Sequence, residues 1–218
     1  MAINSNAGLK LFMQSAIATA KTITAATNAA PGVFTSTAHG YSNGDIILLE
    51  VSGMVEVNNR LFKVVSVATD TFQVAGVDGS VGLDTTAFGA FSGGTAKKVT
   101  LGTSITGVEG FSSSGGDIKT VDSTTVNDLV DTQLVIGATA MSYDLSMQWD
   151  PTNSGQQAMR NAFDVRADRG FKIQWPGGPY VLFYGTVGYT MAPGGEKQGI
   201  TTSPAKIAMR GPITVYAA

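Results

Sequence analysis

Met141-Ser142-Tyr143-Asp144-Leu145-Ser146-Met147-Gln148-Trp149 is the stretch that decides the fold. Met141, Tyr143, Leu145, Met147 and Trp149 alternate with Ser142, Asp144, Ser146 and Gln148. Successive side chains of a strand point to opposite faces, so this period of two predicts a strand with one buried face and one wet face. Trp149 falls in phase with the buried set. Asp150-Pro151 ends the strand, since proline cannot donate to a ladder. Asn153 or Ser154 then caps a helix expected to run to about Ala167, with Met159, Ala162 and Phe163 as its core side and Arg166 at the same helical spacing. Gly170 is expected to stop it. Further strands are predicted at Phe171–Trp175, Pro179–Tyr184, Thr186–Met191, Ser203–Arg210 and Ile213–Tyr216, with a hairpin turn at Pro176-Gly177-Gly178.

Upstream of the alternating strand, residues 102–140 are thin in hydrophobic residues and rich in Gly, Ser, Thr and Asp. Ser112-Ser113-Ser114-Gly115-Gly116 has the composition of a flexible joint. The loop from Asp117 to Gly137 mixes acids with scattered apolar residues and carries neither a helix nor a strand period. A long segment of that kind is functional or disordered, and in a self-assembling protein it orders only against a neighbour. Earlier still, Asp45–Leu49, Leu61–Val67 and Thr71–Val74 are β-rich runs punctuated by Ser42-Asn43-Gly44, Asn58-Asn59 and Asp78-Gly79. With a last strand through Val99, this block reads as a small all-β module.

The chain has 218 residues, enough for one large or two modest domains with a real core. Charged residues make up 14% of it, against about 25% in an average soluble domain, which excludes a coiled coil and a solvated charged tail. There is no cysteine and only one histidine, His39, so disulfide frameworks, thiolate zinc sites, cysteine nucleophiles and multi-histidine metal sites are excluded. No stretch approaches the ~18 apolar residues of a membrane span. Lys10 interrupts Met1–Ala20, so a signal peptide is not expected either, and the reading is of a soluble protein made in a cytoplasm.

The formal net charge is −2, but residues 1–100, 101–150 and 151–218 carry 0, −6 and +4. Acidic and basic segments on one chain suit head-to-tail self-association, or else neutralise each other within a subunit.

Residues that could carry chemistry do not converge. Gly194-Gly195-Glu196-Lys197 lacks the spacing of a phosphate loop and reads as a tight turn. Asp117, Asp122, Asp128 and Asp131 fit no calcium loop and read as solvated or interface carboxylates. His39 is expected to hydrogen-bond locally in a turn. Asp144 and Asp150 lie about 20 Å apart along one strand, too far to act as a carboxylate pair. Trp149, Trp175, Tyr180, Tyr184 and Tyr189 could form a sugar platform, but the two tryptophans read better as core. No catalytic, cofactor-binding or metal-binding residue is assigned.

The ordered set Trp149-Asp150-Pro151, Gly155-Gln156-Gln157-Ala158, Phe171-Lys172-Ile173-Gln174-Trp175-Pro176-Gly177-Gly178, Val181–Gly185 and Lys206–Pro212 resembles the major tail tube proteins of lambda-like bacteriophages. The resemblance covers roughly 99–218 plus a strand near 8–18. It implies a discontinuous tail-tube β-sandwich or barrel over 1–20 and 99–218 with one packed α-helix. Residues 21–98 then form an inserted small β-barrel, similar to an FCCH-like module found in phage virion proteins, here without any cysteine and so without thioester chemistry. The chain departs from the lambda protein in this insert and in ending at Ala218, where the lambda protein continues into an immunoglobulin-like domain.

The resemblance further implies a structural virion protein without cofactor or enzymatic activity. Its homo-hexameric rings would stack into a non-contractile tail tube, with tape measure, tail tip and tail terminator proteins as partners. DNA would pass through the lumen without specific binding, and no membrane insertion is expected. Ser142, Asp144, Ser146 and Gln148 are the expected lumen-lining residues. Asp117, Asp122, Val126, Asp128, Leu129, Val130 and Asp131 are expected in an inter-ring loop. The insert is expected to project outward as a decoration module. A surface or baseplate module that grips a host glycan is the alternative, and a polysaccharide-degrading β protein a more distant one.

Overall fold

The computed structural model describes residues 7–79, 81–127 and 129–217, so Asp128 of the expected loop lies outside the described residues. The chain opens with β1 (Lys10–Met13) and β2 (Ala16–Ile17). Next come β3 (Lys21–Ile23), β4 (Ala25–Ala26), β5 (Phe34–Thr35), β6 (Ile46–Ser52), β7 (Arg60–Val65), β8 (Thr71–Val74) and β9 (Gly93–Thr100). Then β10 (Thr103–Ile105), β11 (Val108–Ser114), β12 (Ile118–Asp122), β13 (Gln133–Ala138) and β14 (Ser142–Gln148) lead to helix α1 (Ser154–Asp164). The chain closes with β15 (Asp168–Gln174), β16 (Tyr180–Gly188), β17 (Thr202–Met209) and β18 (Thr214–Tyr216). The fold is mainly β, as the alternation predicts.

The first sheet runs β10-β1-β15-β16-β17-β14-β11, with β18 also paired to β16. The second runs β2-β9-β6-β7-β8-β5-β4, with β3 also on β9, so it recruits Ala16–Ile17 and extends to Thr100. β12 and β13 form a separate hairpin.

Alternate residues of β1, β14, β15, β16 and β17 enter one core. Leu11 lies opposite Ile173, Phe171 opposite Phe183, Val187 opposite Ile207, and Ile207 opposite Tyr143. Phe171 and Phe183 stack with centroids 5.2 Å apart. Met159 and Ala162 of α1 join this core, both buried. Each such large side chain stabilises by about 1.5–3 kcal/mol on leaving water. Phe163, expected beside them, is only half-buried and lies under the Arg160 guanidinium at 5.8 Å.

Asn153 starts α1: its side-chain oxygen accepts from the amides of Gly155 at 2.9 Å and Gln156 at 3.1 Å. Such a cap is worth about 1 kcal/mol. The helix is shorter than its periodicity predicts. It ends at Asp164, and Arg166 adopts a positive φ of 50° to turn the chain into β15. Gly170 is therefore not the stop but a residue of β15. A Cβ there would lie 3.0 Å from Leu61 Cδ1 and 3.3 Å from Val99 Cγ1, so glycine lets the second sheet lie close against the first. The two strands expected at Pro179–Tyr184 and Thr186–Met191 are one strand, β16. Gly185 sits within it because a Cβ there would collide with the Ala208 carbonyl oxygen.

Residues 21–98, expected as an insert, have a core of their own around Phe34, Phe62, Val64 and Phe72. His39 holds a turn there, its Nδ1 accepting the Tyr41 amide at 2.9 Å while Nε2–H donates to the Ala68 carbonyl at 3.0 Å. A third cluster joins the two sheets: Leu48, Leu61, Val65 and Val99 pack on Leu182 and Tyr216. Leu182 points away from the first core, so residues of the second sheet cover the outer face of the first around β16. The Tyr216 hydroxyl accepts the Lys63 amide at 2.9 Å and donates to the Ala75 carbonyl at 3.4 Å. Arg60 reaches back, donating to the Ile213 carbonyl at 2.8 Å and to Thr214 Oγ1 at 3.1 Å.

Candidate assembly surfaces

The outer face on β14, β17 and β11 is bare and polar. Asp144, Ser146 and Gln148 share it as expected, half-buried or exposed. Ser142 shares the face but is itself buried, its hydroxyl 2.9 Å from Ser114 Oγ. Asp144 lies opposite Lys206 in the register, and the two form an ion pair at 3.5 Å. Gln148 Nε2 donates to Glu109 at 3.2 Å. This surface is thus locally balanced in charge, a feature the segment count for 101–150 hides because Lys206 comes from a distant strand.

The segment left without a period is a β-hairpin arm. Ser112–Ser114, expected as a joint, belong to β11, and the turning is done by Gly115 and Gly116 at φ of 83° and 88°. The arm's root is closed by reciprocal bonds: the Asp117 amide donates to Thr139 Oγ1 at 3.0 Å, and the Thr139 amide to the Asp117 carbonyl at 2.8 Å. Beyond it, β12 pairs with β13 through a bulge, and every side chain of both strands is exposed. Ile118, Val121, Leu134, Val135 and Ile136 are exposed on the strands, and Val126, Leu129 and Val130 on the tip. Val126 and Leu129 are as open as in an extended chain, at 104% and 103%. Near the tip, the hydroxyl and amide of Thr124 hold the Asp122 carboxyl below its usual range. Asp131 is exposed beside it. A cleft of about 370 Å³ opens at the root between Gly116, Thr139, Met141, Met209 and Pro212.

Other sequence candidates fall apart in space. Trp149 is not core: the strand ends at Gln148, Trp149 is 37% exposed, and its Nε1–H donates to the Met191 carbonyl at 3.0 Å. Trp175 is half-buried against Phe111, and Tyr189 is fully buried, so the aromatics form no platform. Glu196 to Gly199 is a turn, closed at 3.0 Å. Among the described residues no group of three or more His, Cys, Asp or Glu could hold a metal ion. A polar hub escaped the sequence reading. Buried Gln156 donates to the Gln148 carbonyl at 2.6 Å and accepts from the Tyr189 hydroxyl at 2.8 Å and the Asp150 amide at 3.2 Å. It follows the helix cap by three residues, the one local signal that could have marked it.

An antiparallel sheet with one helix, a bare polar surface and an uncovered apolar arm make up a mainly-β structural subunit. Residues 52–218 match the family model described as phage tail tube protein, TTP, and the chain belongs to that family. It is a structural component of the phage virion tail, in a family that is not a class of enzymes. Two solved structures are similar over part of the chain. One is the virion of a native gene transfer agent (GTA) particle, with 18% identity and a TM-score of 0.41, covering 55% of this chain and 89% of that one. The other is the tail of an empty GTA particle with C6 symmetry, with 17% identity and a TM-score of 0.41, covering 55% and 87%. No curated protein matches the sequence.

Proposed function

We propose that six copies of this chain close into a ring, and that rings stack into the hollow, non-contractile tail tube that conducts phage DNA. Membership of the tail tube family supports the role. The arm is the observation that carries the assembly. An isolated two-stranded hairpin is marginal in water, and exposed apolar side chains gain only by burial against another molecule. In this reading the arm from Asp117 to Gly137 docks on the adjacent ring and orders there. Ser142, Asp144, Ser146 and Gln148 face the bore. With Asp144 balanced by Lys206, the wall offers phosphates no basic track to bind, which a conduit requires. Residues 21–98 form an outer module carried on the tube domain of 1–20 and 99–218. The chain is made in the host bacterial cytoplasm, and tape measure, tail tip and tail terminator proteins set where the polymer starts and stops.

Negative-stain electron microscopy of the concentrated protein, incubated over days, tests this. Hollow tubes of uniform six-fold rings are expected. Small discrete oligomers alone, even with a tail-tip nucleating complex added, would overturn it.

A further inference from the structure

We propose that Lys10 and Lys172, neighbours on the outer face of the first sheet with Lys172 lying over Phe12 and Tyr180, are the receptor for the acidic arm of a second copy of this chain. The inference rests on the tube reading in one respect, that copies assemble through the arm.

Lys10 lies opposite Gln174 and Phe12 opposite Lys172, so the two lysines are diagonal neighbours on one face. Diagonal pairs in a sheet stand about 7–8 Å apart. Neither lysine makes an ion pair among the described residues, where the five pairs that exist use Lys97, Lys98, Arg160, Lys206 and Arg210. Like charges placed this way repel, and among the described residues no carboxylate pairs with either of them. Lys172 is also held in position: its ammonium lies 4.7 Å from the Phe12 ring centroid and 6.0 Å from that of Tyr180. The patch therefore offers two cations, one of them, Lys172, seated on an aromatic floor. Burial, and then the charge of Lys10, push the Lys172 pKa down, which an incoming carboxylate would reverse.

The arm has the complementary chemistry. Asp117, Asp122 and Asp131 stand against Lys119 alone, among exposed Ile118, Val121 and Val130. One copy does not join the two surfaces. In the sheet order the lysines sit on β1 and β15 and the arm springs from β11 and β14, with β16 and β17 between. The arm's strands bury no side chain on their own subunit. Joining arm to patch takes two copies in a head-to-tail contact, which repeats through a stack because each copy keeps one unused half.

Zero-length carbodiimide cross-linking of the assembled full-length protein, mixed from two isotopically labelled pools, tests the contact directly. Links from Lys10 or Lys172 to Asp117, Asp122 or Asp131 of the other pool are expected in the polymer and absent from the monomer. A charge exchange adds function. Lys10→Glu with Lys172→Glu should lower the polymer fraction at least tenfold while the protein stays folded by circular dichroism. Adding Asp117→Lys, Asp122→Lys and Asp131→Lys to the same chain should restore it. Polymer from the parent protein without those cross-links, or unchanged polymer from the double glutamate variant, overturns the receptor and leaves the tube standing. A parent protein that never polymerises overturns both.

Discussion

The insert and the arm both leave the first sheet and return to it, yet the insert closes over Phe34, Phe62 and Phe72 while the arm closes over nothing. The insert then docks, through Leu48, Leu61 and Val99, on the outer face at Leu182. The arm is closed at its root by Asp117 and Thr139, and its strands bury no side chain. One excursion is stable because it satisfies itself and its host; the other stays unsatisfied, and its apolar surface is available to a neighbour. Stability and assembly are therefore written into different excursions of the same sheet.

Removing Thr124–Gln133 should separate the two most sharply. We expect complete loss of polymer in sedimentation with a monomer melt within about 0.5 kcal/mol of the parent, as for surface changes that touch no core. A large drop in stability would erase the contrast. The opposite pattern is expected at the docked seam. Tyr216→Ala removes a buried ring and two hydrogen bonds to the insert, and should cost about 3–5 kcal/mol in denaturant unfolding.

The insert should also carry an alkaline limit. Burial, and then the charge of Asp45, push the Tyr41 hydroxyl up to about 12, and burial raises Tyr216 as well. A tyrosine whose pKa is raised on folding favours the native state below its unfolded value near 10 and loses that contribution as pH climbs through the folded value. Stability should hold to about pH 9 and fall by about 2 kcal/mol or more between pH 10 and 12, and Tyr41→Phe should flatten that fall. Asn153→Ala, at the cap of α1, should cost about 1 kcal/mol in the same melts. Lys206→Ala breaks only an exposed pair and should cost less than about 1 kcal/mol.

What the sequence discloses follows the same division. The strand at 142–148 was legible because one face is buried and the other wet, and that asymmetry prints a period of two. The hairpin at 118–138 has both faces exposed, so no burial constraint imprints a period and only its composition stood out. Trp149 continues the alternation one residue past the end of the strand, where burial no longer follows it. Gly170 and Gly185 share a reason that a sequence does not display: each suggests a break, and each is instead a place where a neighbouring strand or sheet of the same chain comes too close for a side chain. The charge balance at Asp144 was beyond reach because Lys206 meets it only through sheet pairing.

Tyr216 has a mechanical meaning as well. Its backbone pairs with Tyr180 on β16, its ring fills the cluster shared by both sheets, and its hydroxyl grips the insert at Lys63 and Ala75. A pull on the insert is thus loaded along a strand rather than across a hinge. The strand that takes the load lies directly beside β17, which carries Lys206, so a tug at one end of the molecule is borne one strand away from the polar face.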